Sequence, residues 1–365
     1  MQLTKREFLK TAVAGAASLA LPLAAGRSED AAKPVEQLKN TDFSWVRGFN
    51  YQPGYGDETG GYEDGTGWSI WWDLRTSVIE RELTRGKELF PAMNTVRIWL
   101  SYNVYLAQPK KFLEDFSKYI RIISKLKLRV MIVVFNAWYS TPNWDGFRKE
   151  SFSRLTKEQL DKTFKFADDL LDRHGEDPAV YAWDLCNEPD LWITFDAYSP
   201  WLKRLYGHIK SRKEKTVLTV SSCVGTAALK EYEPISDVIS IHPYFQLAKS
   251  NFANEMKEYE EKVKGYQNKL NDMIQIANSV NKPMIATEIG WGDVDDAKRI
   301  EKLHVELSSV NDRKIGFMVH ALAHSPVADL HRPETGPIVE SGYMACVESD
   351  GSIRPGHEAV NSYLK

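Results

Sequence analysis

The sequence predicts a (β/α)8 barrel, the TIM-barrel fold, in a single domain. Eight short apolar segments follow one another along the chain, amphipathic segments of helical period separate them, and polar residues stand at their carboxyl ends. Several of the short segments are apolar at successive positions, which is typical of parallel strands covered on both faces. Eight strand–helix alternations favour a closed barrel over an open doubly wound sheet.

The predicted strands are Val46–Asn50, Thr95–Leu100, Arg129–Phe135, Val180–Cys186, Val217–Ser222, Val238–His242, Pro283–Thr287 and Ile315–His320. Helical spacing of apolar residues is clear at Pro109–Lys127, after Thr156, at Asn251–Asn278 and at Asp296–Ser309. In the segment that follows Thr156, Leu160, Phe164 and Leu170 share one helix face, and Thr156 itself is a suitable N-cap.

Composition and charge exclude several classes of protein. The 365 residues carry a net charge of −3 and 27% charged residues, with no block of Lys and Arg, so no nucleic-acid partner is predicted. No Gly-x-Gly-x-x-Gly follows the first strand, which argues against a dinucleotide cofactor. The chain has eleven Trp and sixteen Tyr, several of them in glycine-rich stretches. Flat aromatic faces with polar edges suit sugar rings, and a carbohydrate is the predicted partner.

The N-terminal segment is predicted to be an export signal at residues 1–26, followed by a linker at 27–42 and the barrel domain at 43–365. Lys5, Arg6 and Lys10 form a positive region before the short apolar run Thr11–Ala25. The run is too short to span a bilayer, so no membrane anchor is predicted. The pattern around Arg6 resembles a twin-arginine signal whose first Arg is Lys, which leaves that route and general secretion open. The predicted location is the periplasm or the exterior.

Two glutamates stand at predicted strand ends. Glu188 follows the fourth strand in Asn187-Glu188-Pro189, and Glu288 follows the seventh in Thr287-Glu288-Ile289. Strands four and seven lie on roughly opposite sides of an eight-stranded barrel, and sites form at the carboxyl ends of the strands. Two facing carboxyls can flank a glycosidic bond, one neutral to protonate the leaving oxygen and one ionised. Arg97, in the second strand, would keep Glu288 ionised.

These residues resemble the motifs of clan A glycoside hydrolases, and most closely those of family 5. The resemblance extends over nearly the whole chain after the export signal and rests on motifs in the expected order. These are Arg97 in Val96-Arg97-Ile98-Trp99, Asn187-Glu188-Pro189, His242-Pro243-Tyr244, Glu288 in Thr287-Glu288-Ile289-Gly290, and Asp350-Gly351 before Pro355. It implies a retaining enzyme with Glu188 as acid/base and Glu288 as nucleophile, steadied by Tyr244. It also implies a contact between Asn187 and the sugar 2-hydroxyl.

The substrate-binding residues predicted beside this pair are Arg97, Asn187, His242, Tyr244, Asn136, Trp138, Trp291, His320 and Trp72. Short matches around Asn136 and Trp138 resemble the β-mannanase branch, so β-mannan is the first candidate, before xylan, β-glucan and β-galactan. Two departures bear on the substrate. The family usually has a Trp at the end of strand eight, where this chain has His320, and strand three lacks the His common in cellulases. Trp291, a loop Trp or His320 is expected to replace the missing Trp.

Two other functions remain as alternatives. A barrel that binds carbohydrate without cleaving it would fit the missing Trp, although it would not explain why both glutamates, Arg97 and Tyr244 are present. A metal-dependent hydrolase is disfavoured because no His-x-His follows the first strand. His320 and His324 are four residues apart, but outside a helix this spacing gives no shared face. No metal and no cofactor are predicted, and the oligomeric state is left open.

Overall fold

A computed structural model describes residues 35–55, 69–136, 155–192, 195–213, 215–223, 225–245, 255–325 and 343–365. The chain divides into two compact units, Met1–Val35 and Glu36–Lys365, and the elements described below belong to the second. The predicted export signal lies outside the described residues, as does Trp138. In the described part of the chain, no helix is long and apolar enough to cross a membrane.

Eight parallel strands close into a barrel in chain order, which confirms the predicted fold. The strands are β1 (Arg47–Asn50), β2 (Thr95–Trp99), β3 (Arg129–Asn136), β4 (Val180–Asn187), β5 (Leu218–Ser222), β6 (Ile239–Ile241), β7 (Met284–Ile289) and β8 (Gly316–Val319). Pairing of β1 with β8, with Arg47 opposite Phe317, closes the barrel. All the carboxyl ends therefore meet at one mouth.

Helices connect the strands on the outside. They are α1 (Thr76–Leu89), α2 (Tyr102–Ala107), α3 (Pro109–Lys125), α4 (Lys157–His174), α5 (Pro189–Trp192), α6 (Phe195–Arg212), α7 (Thr226–Tyr232), α8 (Glu255–Ser279) and α9 (Asp296–Asp312), with 3-10 helices at Ser69–Trp71, Glu233–Ile235 and His357–Ser362. Thr156 is the N-cap of α4, and a capping box joins its side chain and backbone to Gln159. The residues predicted to face the core in α3, such as Phe112 and Phe116, are fully buried.

Strand residues alternate between two apolar layers, as the period of two requires. In β2, Val96 and Ile98 pack into the large core between the strands and the helices. A smaller cluster lies among the strands themselves and includes Met131, Ile285 and Met318. Because Arg97 lies between Val96 and Ile98, its side chain projects to the other side of the sheet, into the barrel.

The end of the segment predicted as a linker packs against the barrel. Leu38 is buried, and the Lys39 N–H donates to Asn278 Oδ1 at 2.8 Å. Residues before position 43, where the barrel domain was predicted to start, therefore contact the barrel through α8.

Candidate active site

The strand ends bring most of the predicted site residues into one cluster at the mouth of the barrel. Hydrogen bonds and close ionic contacts connect the members of this cluster, which comes from six strands or the positions just after them. Its members are Arg97, Asn136, Asn187, Glu188, His242, Tyr244, Glu288 and His320. All of them are buried except Tyr244, which is partly buried.

Arg97 lies at the centre of the cluster and is completely buried. Its guanidinium donates to five side chains from four strands: Asn50 Oδ1 at 3.0 Å, Asp184 Oδ2 at 2.7 Å, Asn187 Oδ1 at 2.6 Å, Ser221 Oγ at 3.2 Å and Glu288 Oε1. The guanidinium also lies over the Trp99 ring, 4.8 Å from its centroid. A planar fork with five donors can satisfy such a set, whereas an ammonium cannot.

Glu288 is held in the ionised form. Arg97 bonds its Oε1, and the Tyr244 hydroxyl donates to its Oε2 at 2.7 Å. His242 Nδ1 and His320 Nδ1 lie 3.6 and 3.7 Å from Oε2. Burial acts to raise the pKa of Glu288, but the nearby cationic groups and the Tyr244 hydrogen bond outweigh it and lower the pKa to about 2.

Glu188 is in a different environment. A hydrogen bond of 2.5 Å joins its Oε1 to His242 Nδ1, and the second nitrogen of His242 is 3.0 Å from Thr287 Oγ1. Burial, with repulsion from Glu288, raises the pKa of Glu188 despite the attraction of His242. Its φ of +46° lies in the left-handed region, which non-glycine residues rarely occupy. The two carboxyls are thus one acid with a raised pKa and one with a lowered pKa.

The two carboxylates are close together. A Glu188 oxygen, a Glu288 oxygen and a nitrogen of His242 all lie within 4.8 Å of one another. Such a trio has the donor types and spacing to hold a metal ion. However, both His242 nitrogens and the oxygens of Glu288 already have partners within the protein. In the structure, His242 is hydrogen-bonded to Glu188 and lies 3.6 Å from Glu288 Oε2.

Asn187 and Asn136 form one wall of the site. Asn187 Nδ2 donates to Asn136 Oδ1 at 3.3 Å, while its Oδ1 accepts from Arg97. Both amides are fixed at the ends of adjacent strands, β3 and β4, which are paired at these two residues. They therefore present polar groups beside Glu188.

His320 occupies the end of strand eight, where the sequence lacks the expected Trp. Its ring contacts the edge of Trp99, with centroids 6.1 Å apart at 77°. Among the described residues, its buried Nδ1 has no hydrogen-bond partner. Burial and the positive charges of Arg97, His242 and Arg299 outweigh the attraction of Glu288 and lower the pKa of His320, so the imidazole is neutral. A neutral imidazole can donate one hydrogen bond to a ligand or accept one from it.

The predicted tryptophans differ in position. Trp291 is partly buried, and its ring meets that of Tyr244 with centroids 5.0 Å apart. Trp72 lies outside the cluster; it is 42% exposed, and its carbonyl accepts a hydrogen bond from Lys111 on α3. Its neighbour Trp71 is fully buried and donates to the Trp99 carbonyl at 2.9 Å, so it anchors the first loop to β2. The predictions for Trp72 and Trp138 stay predictions.

Sequence reasoning missed the residues that orient this cluster. Asp184 and Ser221 bind Arg97, and Thr287 with Ser240 orients His242. Asp184 carried a usable signal, because a charged residue inside an apolar strand must find a partner. The hydroxyl residues carried none, since Ser and Thr occur commonly in strands.

A (β/α)8 barrel with two buried, unequal carboxyls at its mouth has the arrangement that glycoside hydrolases use. The chain is a member of the cellulase family, glycosyl hydrolase family 5, whose sequence pattern matches residues 91–325. No curated protein matches the sequence.

Solved structures with the same fold share little sequence with this chain. A GH5_18 protein of Streptomyces cattleya, in complex with GlcNAc, matches with a TM-score of 0.63 and 14% identity over 87% of this chain and 80% of its own. The endo-1,4-β-D-mannanase of Thermotoga petrophila matches with a TM-score of 0.59 and 16% identity, over 87% of this chain and 99% of its own. A β-glucuronidase of Ruminococcus gnavus matches with a TM-score of 0.60 and 15% identity over 88% of this chain, which spans only 50% of that protein. At these identities the matches show the fold alone.

Proposed function

We propose that the chain is a retaining β-glycosidase in which Glu288 is the nucleophile and Glu188 the acid/base. The separation of the carboxyls carries this proposal, since oxygens of the two groups lie within 4.8 Å. Retaining enzymes hold their carboxyls about 5–5.5 Å apart, whereas inverting enzymes need about 6.5–9.5 Å to admit a water molecule. The short separation favours direct attack by one carboxylate.

In the first step, an oxygen of Glu288 attacks the anomeric carbon as the bond to the leaving oxygen breaks. Glu188, whose raised pKa favours the protonated form, transfers its proton to that oxygen. A covalent glycosyl-enzyme and a free alcohol result. Tyr244 and Arg97 keep Glu288 ionised and oriented before the attack.

In the second step, Glu188 is ionised and takes a proton from water, whose oxygen attacks the anomeric carbon and releases Glu288. His242 suits both steps because its hydrogen bond to Glu188 can persist in either protonation state of the carboxyl. Two inversions at the anomeric carbon leave its β configuration unchanged.

The proposed substrates are β-linked polysaccharides or oligosaccharides, with β-mannan first. Asn187, Asn136 and the neutral His320 offer hydrogen bonds to sugar hydroxyls, and Trp291 offers an aromatic face beside Tyr244. The fold match to the Thermotoga petrophila mannanase, which covers 99% of that chain, agrees with this choice.

A panel of aryl β-glycosides and β-linked polysaccharides tests the activity and identifies the sugar. Wild type is expected to cleave at least one member, and Glu188→Gln and Glu288→Gln are expected to lose turnover while remaining folded. Glu114→Gln, the same change on the exposed face of α3, is the control and should retain full activity. Near-native turnover in Glu288→Gln would contradict the proposal. Glycan binding by wild type without any cleavage would instead favour the non-catalytic barrel.

An added nucleophile distinguishes the two roles. With an activated aryl β-glycoside, azide should replace the missing base in Glu188→Ala and give a β-glycosyl azide. In Glu288→Ala, azide should enter from the nucleophile's side and give an α-glycosyl azide. The opposite pair of products would reverse the assignment of the two glutamates.

We also propose that residues 1–26 direct export. Mass spectrometry of the protein recovered from periplasm or medium should find a new N-terminus near Gly26. Recovery of only the full-length chain from cytoplasm would contradict this proposal.

A further inference from the structure

Glu306, on α9, is a completely buried acid that the proposed chemistry does not use. Its Oε1 accepts backbone N–H groups of Phe245 at 2.6 Å and Trp291 at 3.5 Å, and its Oε2 accepts the N–H of Gly290. A single carboxylate therefore binds backbone donors from two separate loops.

The donors lie next to the residues that hold and supply the nucleophile. Phe245 directly follows Tyr244, and Gly290 is two residues after Glu288. Trp291 contacts the Tyr244 ring edge to face. The carboxylate thus joins the loop after β6 to the loop after β7, and these two loops bring the Tyr244 hydroxyl to Glu288 Oε2.

The loop after β7, which contains Gly290, is closely packed and has little room to move. Gly290 has a φ of +99°, and a Cβ placed there would lie 2.9 Å from Leu303 on α9 and 3.2 Å from Val319 on β8. The loop is therefore packed directly on α9, and its N–H groups donate to Glu306.

We propose that Glu306 is a positioning residue whose ionised carboxylate sets the distance between Tyr244 and Glu288. This inference rests on the proposed role of Glu288 as nucleophile. A carboxylate accepts hydrogen bonds only, and it matches the three N–H donors. A protonated carboxyl would direct its own O–H at one of them and lose that contact.

The protonation of this group depends on pH near neutrality. Burial raises the pKa of Glu306 to about 7, although the backbone donors and Arg299 act in the opposite direction. Arg299, seven residues before Glu306 on α9, donates hydrogen bonds to the carbonyls of Ala345 and His320. Tyr244 and, from α8, Tyr266 also interact electrostatically with Glu306. Both tyrosines have a raised pKa and stay neutral. As the pH falls through 7, Glu306 itself takes up a proton and its contacts with the backbone N–H groups loosen.

Glu306→Gln tests the proposal by kinetics. The amide has one acceptor and one donor at all pH values, so kcat should fall at least 10-fold with a smaller change in KM. The inflection near pH 7 in the wild-type profile should disappear. Glu306→Asp keeps the charge and should recover part of the activity. Glu301→Gln, on the exposed side of the same helix, should leave both kcat and the profile unchanged.

Amide hydrogen exchange gives a readout that needs no substrate. The amides of Phe245, Gly290 and Trp291 should exchange faster in Glu306→Gln than in wild type, and those of the Glu301→Gln control should not. If wild type hydrolyses no glycoside, the proposed function fails while this exchange test still applies. Unchanged kcat, pH profile and amide exchange in folded Glu306→Gln would overturn the proposal.

Discussion

At the scale of the residue, Arg97 is, after His242, one of the causes of the difference between the two glutamates. It binds Glu288 directly and places the amide of Asn187 beside Glu188. Asp184 accepts a hydrogen bond from the other terminal nitrogen of the guanidinium and balances part of its positive charge. A completely buried guanidinium is tolerable only because acceptors from several strands surround it. The lowered pKa of Glu288 is in part a consequence of this one side chain.

Arg97→Lys should therefore affect catalysis far more than a conservative change normally does. A lysine can reach one or two of the acceptors, so Glu288 loses orientation and its pKa rises. We expect kcat/KM to fall roughly 100-fold or more, by analogy with loss of one preorganised donor, and the free energy of unfolding to fall by about 1–3 kcal/mol. Kinetics and urea unfolding measure both quantities. Arg121→Lys, on the exposed face of α3, is the control. Equal kinetics in the two variants would show that Arg97 is only structural.

Single residues were predictable where a strand end marked them. Glu188, His242 and Glu288 stand out because charged or polar residues follow apolar runs. Glu306 was missed because the face of α9 that it shares with Leu303 and Val310 also carries the charged residues Arg299 and Lys302, which obscure the apolar pattern. Only the packed structure shows that backbone donors of two loops converge on it.

At the scale of the element, glycine positions show where the backbone is constrained and where it is free. Gly290, with its positive φ, directly follows the strand that carries Glu288. Gly207 and Gly265 lie within α6 and α8, and nothing lies within 4 Å of a Cβ placed on either of them. The same substitution should therefore have opposite effects at the two kinds of position.

Gly290→Ala should lower the free energy of unfolding by roughly 1–3 kcal/mol, because alanine is strained at this φ and its Cβ meets Leu303. Gly207→Ala, in an open helical position, should raise it by roughly 0.5–1 kcal/mol. Thermal or urea unfolding of both variants checks the pair. A gain in stability in Gly290→Ala, or a loss in Gly207→Ala, would contradict this description of the backbone at the two positions.

Long elements were predicted better than short ones. The capped helix after Thr156 and the amphipathic α3 each contain several turns, so their period is clear. The short helices α2, α5 and α7 have too few residues to show a period. Strand β6 is shorter than predicted because the apolar run extends beyond the three residues of its ladder.

At the scale of the whole molecule, barrel closure creates the site. Arg97 and Glu288 are 191 positions apart in the sequence, yet they are bonded because β2 and β7 end at the same mouth. Eight alternations in the sequence were enough to predict this closure. The sugar specificity was less predictable, because the sequence around Trp72 and Trp138 follows no periodic pattern.

The anomeric configuration of the first product tests the central claim most directly. Proton NMR during hydrolysis of an aryl β-glycoside, recorded before mutarotation, distinguishes the two anomers. Carboxyl oxygens within 4.8 Å predict that the β anomer appears first and converts slowly to the α anomer. Initial appearance of the α anomer would show that water attacks directly, and would contradict the assignment of Glu288 as the nucleophile.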